Sequence, residues 1–269
     1  NNNISQTIRI NPASLSTINS KSYAFLSRFT NVFYISQQQK LNSNHQLTHF
    51  LPYTTSIFDT SITTLLSNIR NTLFINKNSQ IIRGDIIIEQ NLNKSIMTYG
   101  NDFRIYRKTI INMHWNITPF YLYKGSVTHG KQLDSSAFFP NRNYTIEAQT
   151  ISSAIAFQPT QVYRLETGYE FQTKQNSHHT SNNEKSIIHN IFAEIRYNLP
   201  QNTTLQSKYE CSIITYNNAL NSPLAYVMLN GLNKGVNHIW NASLYRDIGS
   251  NMQISITYQG RKSTSSTMI

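Results

Sequence analysis

Apolar and polar residues alternate along most of the chain, which is the pattern of β-strands that present two different faces. Residues 190–199 show it most clearly, with Phe192 as the exception. The apolar positions there are Ile191, Ala193, Ile195, Tyr197 and Leu199. Residues 163–172, 204–213 and 252–261 repeat the alternation. The pattern predicts strands near 4–13, 21–40, 69–76, 79–90, 101–116, 119–131, 142–157, 161–174, 185–199, 202–217, 235–248 and 251–262.

The connections between these strands are predicted to alternate in length. Short turns are expected near 76–79, 116–119, 158–160, 199–202 and 248–251. Longer polar loops are expected near 91–101, 132–142, 174–184 and 218–234. One more loop, near 42–68, is predicted to contain a helical turn around 62–69. This order of strand, short turn, strand and long loop is typical of an antiparallel meander.

Two architectures fit such a meander. A soluble sandwich or barrel buries one face of every strand in a core. An outer-membrane barrel turns its apolar face to lipid and has short turns on one side of the membrane and longer loops on the other. The predicted strands run about 12 to 18 residues, against roughly 5 or 6 in soluble proteins, and aromatic residues cluster near their ends. We therefore predict an all-β antiparallel up-and-down meander of about twelve long strands, forming part of a transmembrane outer-membrane β-barrel.

Composition supports the membrane alternative. Only 13% of the residues are charged, whereas soluble domains carry about 25%, and a low charge is expected where half of each strand faces lipid. The single cysteine, Cys211, excludes a disulfide framework and a cysteine-rich zinc site. It lies on an apolar face and is interpreted as a small buried or lipid-facing residue. No run approaches the ~18 to 20 apolar residues of a membrane-spanning helix.

The net charge of +11 raises the question of an anionic partner. Lys and Arg are scattered, with no basic helix and no basic patch interleaved with aromatic residues, so nucleic acid is not expected. In an outer membrane, basic groups at strand ends would contact anionic lipid phosphates instead. The candidates on the long-loop side are Lys131, Arg142, Lys174 and Lys185.

The two strand faces supply the candidate functional residues. Eight charged residues are expected to face the lumen: Arg164, Glu166, Glu170, Glu194, Arg196, Lys208, Glu210 and Arg261. Six apolar residues are expected to face lipid: Ile191, Ile195, Tyr197, Ile254, Ile256 and Tyr258. The charged residues are interpreted either as ladders that hold the barrel wall together or as the lining of an aqueous path.

The sequence contains few residues in a pattern that would indicate a catalytic or metal site. The pair His178–His179 could bind a metal, but Glu184 is the only carboxylate near it in sequence. His114 shares a polar face with Asn112 and Asn116, which favours a hydrogen-bonding role. A loop-borne enzyme site would have to use Asp102, Asp134, Glu184 and the histidine pair. We predict no catalytic, metal-binding or cofactor-binding residue, and no enzyme.

Most of residues 69–263 resemble one protein family. The stretch Gly231–Asn241, with the strands and turn that follow it to residue 263, resembles the C-terminal β-barrel region of large outer-membrane proteins of Bacteroidota. Residues 69–76 and 141–144 resemble internal parts of the same family. The family usually ends in one more strand closing on an aromatic residue, whereas residues 263–269 are largely polar. The chain would then be a single-domain fragment, residues 1–269, without N-terminal parts and a final strand.

The resemblance implies a location and a role. It implies the outer membrane of a Gram-negative bacterium, with lipid, lipopolysaccharide and other outer-membrane or periplasmic subunits as partners. It implies a pore, an anchor or a scaffold for transport, secretion or outer-membrane assembly, without a transferable active site. The alternatives are a soluble antiparallel β module that binds sugar or protein, and an outer-membrane enzyme with a loop-borne site.

Overall fold

The computed structural model describes residues 2–10, 27–41, 62–97, 100–140, 143–177, 184–199, 203–218, 223–248 and 252–264. In chain order the strands are β1 (Asn2–Ile10), β2 (Phe29–Leu41), β3 (Ile62–Ile75), β4 (Ile82–Met97), β5 (Gly100–Asn116), β6 (Tyr121–Ser136), β7 (Tyr144–Phe157), β8 (Tyr163–Asn176), β9 (Lys185–Leu199), β10 (Thr203–Tyr216), β11 (Gly235–Ile248) and β12 (Met252–Thr264). A short helix, α1 (Pro223–Met228), lies between β10 and β11.

The strands form one sheet of twelve strands in sequence order, each antiparallel to the next. The predicted all-β antiparallel meander is therefore confirmed. Within the described residues the sheet is open, with β1 and β12 as its two edges. No helix in this part of the chain has the length and hydropathy needed to cross a bilayer.

Two local predictions are wrong. The helical turn predicted around 62–69 is the first half of β3, because strands on both sides offer backbone partners to this apolar stretch. The long loop predicted near 91–101 belongs to the sheet, since the pairing of β4 with β5 continues to Met97 and Gly100. Only residues 98–99 connect these two strands, so loop lengths do not alternate strictly.

The register gives the sheet two distinct faces, because residues directly opposite each other in antiparallel strands share a face. We call the face that carries Ile111, Ile151 and Ile191 the apolar face. The opposite face carries Lys124, Glu166 and their register partners, and we call it the polar face. The short-turn end is the end of the sheet that contains turns such as 117–120 and 158–162, and the long-loop end is the opposite one.

The main apolar cluster lies on the polar face, near the long-loop end. It combines strand residues with α1 and the residue that follows it: Ile146, Ile188, Ile214, Tyr216, Ala225, Met228 and Leu229. A smaller cluster contains Ile62, Leu65 and Leu92. Among the described residues, the buried apolar residues that pack together form only these two small clusters, and many large apolar side chains of the sheet are exposed.

Candidate functional site

The apolar face is continuous from strand to strand. One row of direct partners crosses eight strands: Ile86, Ile111, Val127, Ile151, Phe171, His189, Ile213 and Val236. Ile111, Val127 and Ile151 are each about half exposed, at 50%, 49% and 54%. Monomeric soluble proteins rarely expose apolar patches larger than a few hundred Å². An exposed apolar face that continues across eight strands is therefore unusual for a monomeric soluble protein.

The six residues predicted to face lipid all lie on the apolar face: Ile191, Ile195, Tyr197, Ile254, Ile256 and Tyr258. Their exposed fractions run from 36% at Ile254 to 63% at Tyr258. Cys211 lies on the same face, directly opposite Ile191 on one side and His238 on the other, and is half-buried. The alternation in sequence thus places these side chains on one side of the sheet.

A polar row borders the apolar face near the long-loop end. It crosses six strands and consists of Gln90, Arg107, Lys131, Glu147, Gln175 and Lys185. Lys131 and Glu147 form an ion pair of 2.7 Å within it. Two of the predicted phosphate-contacting residues, Lys131 and Lys185, belong to this row. Lys174 lies on the other face, and Arg142 lies outside the described residues.

The polar face carries a network of ion pairs. Lys124 donates two hydrogen bonds to Glu166, of 2.8 and 2.7 Å, and Arg164 donates another of 2.6 Å. Lys208 pairs with Glu210 on its own strand. All eight residues predicted to face the lumen lie on this face: Arg164, Glu166, Glu170, Glu194, Arg196, Lys208, Glu210 and Arg261. The alternation in sequence predicts that these residues share a face, but it does not predict which of them form ion pairs.

Two basic residues that form ion pairs on this face were not predicted from the sequence. Lys124, Ser126 and Thr128 are alternate residues of β6, and this polar alternation would have assigned Lys124 to the polar face. Arg104 pairs with Asp134 at 2.5 Å, across β5 and β6. His114, predicted to be polar-facing, lies opposite Arg83 and Lys124 on this face.

Histidines on the apolar face are paired with tyrosines from neighbouring strands. The hydroxyl of Tyr169 lies 2.7 Å from Nδ1 of His189, and that of Tyr209 lies 2.7 Å from Nδ1 of His238. Both pairs are diagonal, with the tyrosine opposite the residue two positions beyond the histidine. An unpaired imidazole in an apolar environment would be costly. The repeated pairing makes these histidines compatible with that environment.

Removal of one tyrosine hydroxyl tests this pairing. We expect Tyr209→Phe to lower the free energy of unfolding by about 1 kcal/mol, because the imidazole of His238 loses its partner. Chemical denaturation in detergent micelles measures the change. Tyr258→Phe, at a 63% exposed position of the same face, is the control and should have little effect. The loss should vanish in a chain that also carries His238→Leu; a loss that persists there contradicts the pairing.

The structure places some of the residues that a metal site or a loop-borne site would use. No group of three or more His, Cys, Asp or Glu side chains within the described residues could hold a metal ion. His178 and His179 lie outside the described residues. Among the acidic candidates, Asp134 is paired with Arg104, and Glu184 accepts hydrogen bonds from Tyr216 at 3.0 Å and Asn218 at 2.6 Å. These contacts engage Asp134 and Glu184 in structural interactions near the long-loop end of the sheet.

Comparison of the chain with protein-family models, with curated proteins and with solved structures found no match. The class of the protein therefore rests on its own residues. The fold and the two faces define an all-β, antiparallel up-and-down meander with one exposed apolar face and one polar, ion-paired face.

Proposed function

We propose that this chain is the membrane-spanning β-barrel portion of a Gram-negative outer-membrane protein. The observation that carries the proposal is the continuous, exposed apolar face on a twelve-stranded antiparallel meander. Its direct role is that of a pore, an anchor or a scaffold for transport, secretion or outer-membrane assembly.

Strand length and face composition support this role. A tilted strand crosses a bilayer with about 9 to 11 residues, and β5 has 17 residues and β9 has 15. Lipid contact accounts for the apolar face, and an aqueous interior accounts for the ion pairs of the polar face. The polar row through Lys131 and Lys185 lies where anionic headgroups of lipid or lipopolysaccharide would meet the barrel.

The open edges of the sheet, β1 and β12, require pairing partners in a membrane. An unpaired strand edge is not tolerated in hydrocarbon, because its backbone groups lack hydrogen bonds there. Strand direction alternates through twelve strands, so β1 and β12 run antiparallel to each other. We propose that they pair in the assembled protein, either directly or through further strands, and that other outer-membrane or periplasmic subunits complete the assembly.

The two tryptophans of the chain provide the test. Trp115 and Trp240 lie on the apolar face, in one register row that runs through Tyr123 and Tyr209. We expect brominated phospholipid to quench the fluorescence of both tryptophans in reconstituted vesicles, because bromine quenches indoles within a few ångströms. The single-tryptophan variants Trp115→Phe and Trp240→Phe report the two positions separately.

A tryptophan on the polar face is the matched control. Ile239 is adjacent to Trp240 and lies on the opposite face. In a chain with both native tryptophans replaced by phenylalanine, Ile239→Trp should be insensitive to brominated lipid. Quenching of the native tryptophans by aqueous acrylamide alone, with a monodisperse protein in the absence of detergent, would favour a soluble β binding module and contradict the membrane proposal.

A further inference from the structure

Residues 223–234 fold onto the polar face. We call them the in-folded segment; they comprise α1 and the residues that lead into β11. Ala225, Met228 and Leu229 are 1%, 0% and 3% exposed. They pack on three isoleucines of the polar face: Ile146, Ile188 and Ile214. Contact between the two apolar patches removes both from water, which stabilises the folded position of the segment.

Lys174 anchors the end of α1. Its ammonium group, on a side chain that is only 8% exposed, donates a hydrogen bond of 2.7 Å to the carbonyl of Val227 and another to the side chain of Asn230. Ser186 donates a bond of 2.9 Å to the carbonyl of Met228. The last carbonyls of a helix carry partial negative charge, which favours a cation beside them.

Three more contacts tie the segment to the sheet. The side-chain amide of Asn230 donates to Gln172 at 2.9 Å, and Asn237 donates to the carbonyl of Asn233 at 2.7 Å. Arg261 of β12 donates to the carbonyl of Gly231 at 3.4 Å. Asn230 and Gly231 have positive φ angles of 56° and 71°, a left-handed conformation that ends α1. The segment is therefore held from β8, β9, β11 and β12.

We propose that the in-folded segment is a fixed constriction inside the barrel, locked by Lys174, that screens the polar face near the long-loop end from solutes. The proposal rests on the proposed function, because the polar face encloses a space only when the sheet is closed. Tyr226 is 72% exposed, unlike the sheet-facing Ala225. Tyr226 therefore borders the remaining opening and contributes to its size and polarity.

Thiol accessibility tests the constriction. Ser186 is fully buried beneath α1, so Ser186→Cys in a Cys211→Ser chain places the single thiol under the segment. The probe is a charged, water-soluble maleimide, applied to the chain in detergent micelles. We expect slow labelling that becomes about tenfold faster or more with Lys174→Met, because the segment opens more often without its charged hydrogen bonds. Lys131→Met, which removes a lysine on the other face, should leave the rate unchanged.

A reference thiol separates opening from unfolding. Ser243→Cys lies on the polar face towards the short-turn end, and its labelling rate should not depend on Lys174. If Lys174→Met accelerates the labelling of both thiols, the variant chain has unfolded. The test then uses Asn230→Gly in place of Lys174→Met. Glycine keeps the positive φ but removes the bonds to Lys174 and Gln172. This change should accelerate only the thiol at 186.

Two results would overturn the constriction. One is labelling of Ser186→Cys as fast as that of Ser243→Cys while Lys174 is intact. The other is a rate at position 186 that neither Lys174→Met nor Asn230→Gly changes. Because labelling in micelles does not depend on contact with lipid, a failure here is distinct from a failure of tryptophan quenching by brominated phospholipid.

Discussion

Ile191→Arg should lower the free energy of unfolding in phospholipid vesicles by about 2 to 4 kcal/mol, the cost of an arginine near the midplane of a barrel's lipid face. Ile191 is 56% exposed and lies on the apolar face between Tyr169 and Cys211. On a water-exposed sheet, the same change would be nearly neutral. Reversible urea unfolding in vesicles measures the difference.

The neighbouring residue on the same strand is the control. Asn190 lies on the polar face, directly opposite Glu170. Asn190→Arg gives the new cation a carboxylate partner at the cost of the bond that Ser212 donates to Asn190, so we expect a loss of at most about 1 kcal/mol. Equal effects at 190 and 191 would show that the two faces do not meet different environments.

Glu166→Gln should lower the free energy of unfolding by about 2 kcal/mol. The carboxylate of Glu166 accepts bonds from both Lys124 and Arg164, and its side chain is 17% exposed. A neutral amide leaves two cations on the polar face without their counter-charge. The expected loss is smaller than for a fully buried pair, because the two cations are about one-third exposed.

An exposed pair of the same composition is the control. Lys131 and Glu147 are 48% and 44% exposed, so Glu147→Gln should cost less than about 1 kcal/mol. A double-mutant cycle between Lys124→Met and Glu166→Gln isolates their coupling. A coupling no larger than that of Lys131 with Glu147 would contradict the assignment of the Glu166 network as a structural element of the polar face.

Most of the sheet could be predicted from sequence because side chains in a strand alternate with period two. The predicted limits of β9 and β11 agree with the structure, and those of β7, β8 and β10 differ by one or two residues. The same period is enough to assign Glu166 to the polar face and Ile191 to the apolar face. Periodicity was less informative at 62–69, where closely spaced apolar residues fit both a helix and a strand.

Pairing partners could not be predicted in the same way. Lys124 and Glu166 belong to strands that are not neighbours, and their contact depends on the register of two strand pairs. The stretch 91–97 contains residues common in loops, yet pairing with β5 keeps it in the sheet. In both cases the decisive interaction comes from residues distant in sequence.

Local alternation and short turns in the sequence were enough to predict most of the strands, their order in the meander and the division of the sheet into an apolar and a polar face. The position of the segment after β10 depends instead on packing between residues that are distant in sequence. Ile146, Ile188 and Ile214 lie on the polar face in three separate strands, and they form one patch only when β7, β9 and β10 are in register. That patch, together with Lys174 from β8, holds α1 on the polar face.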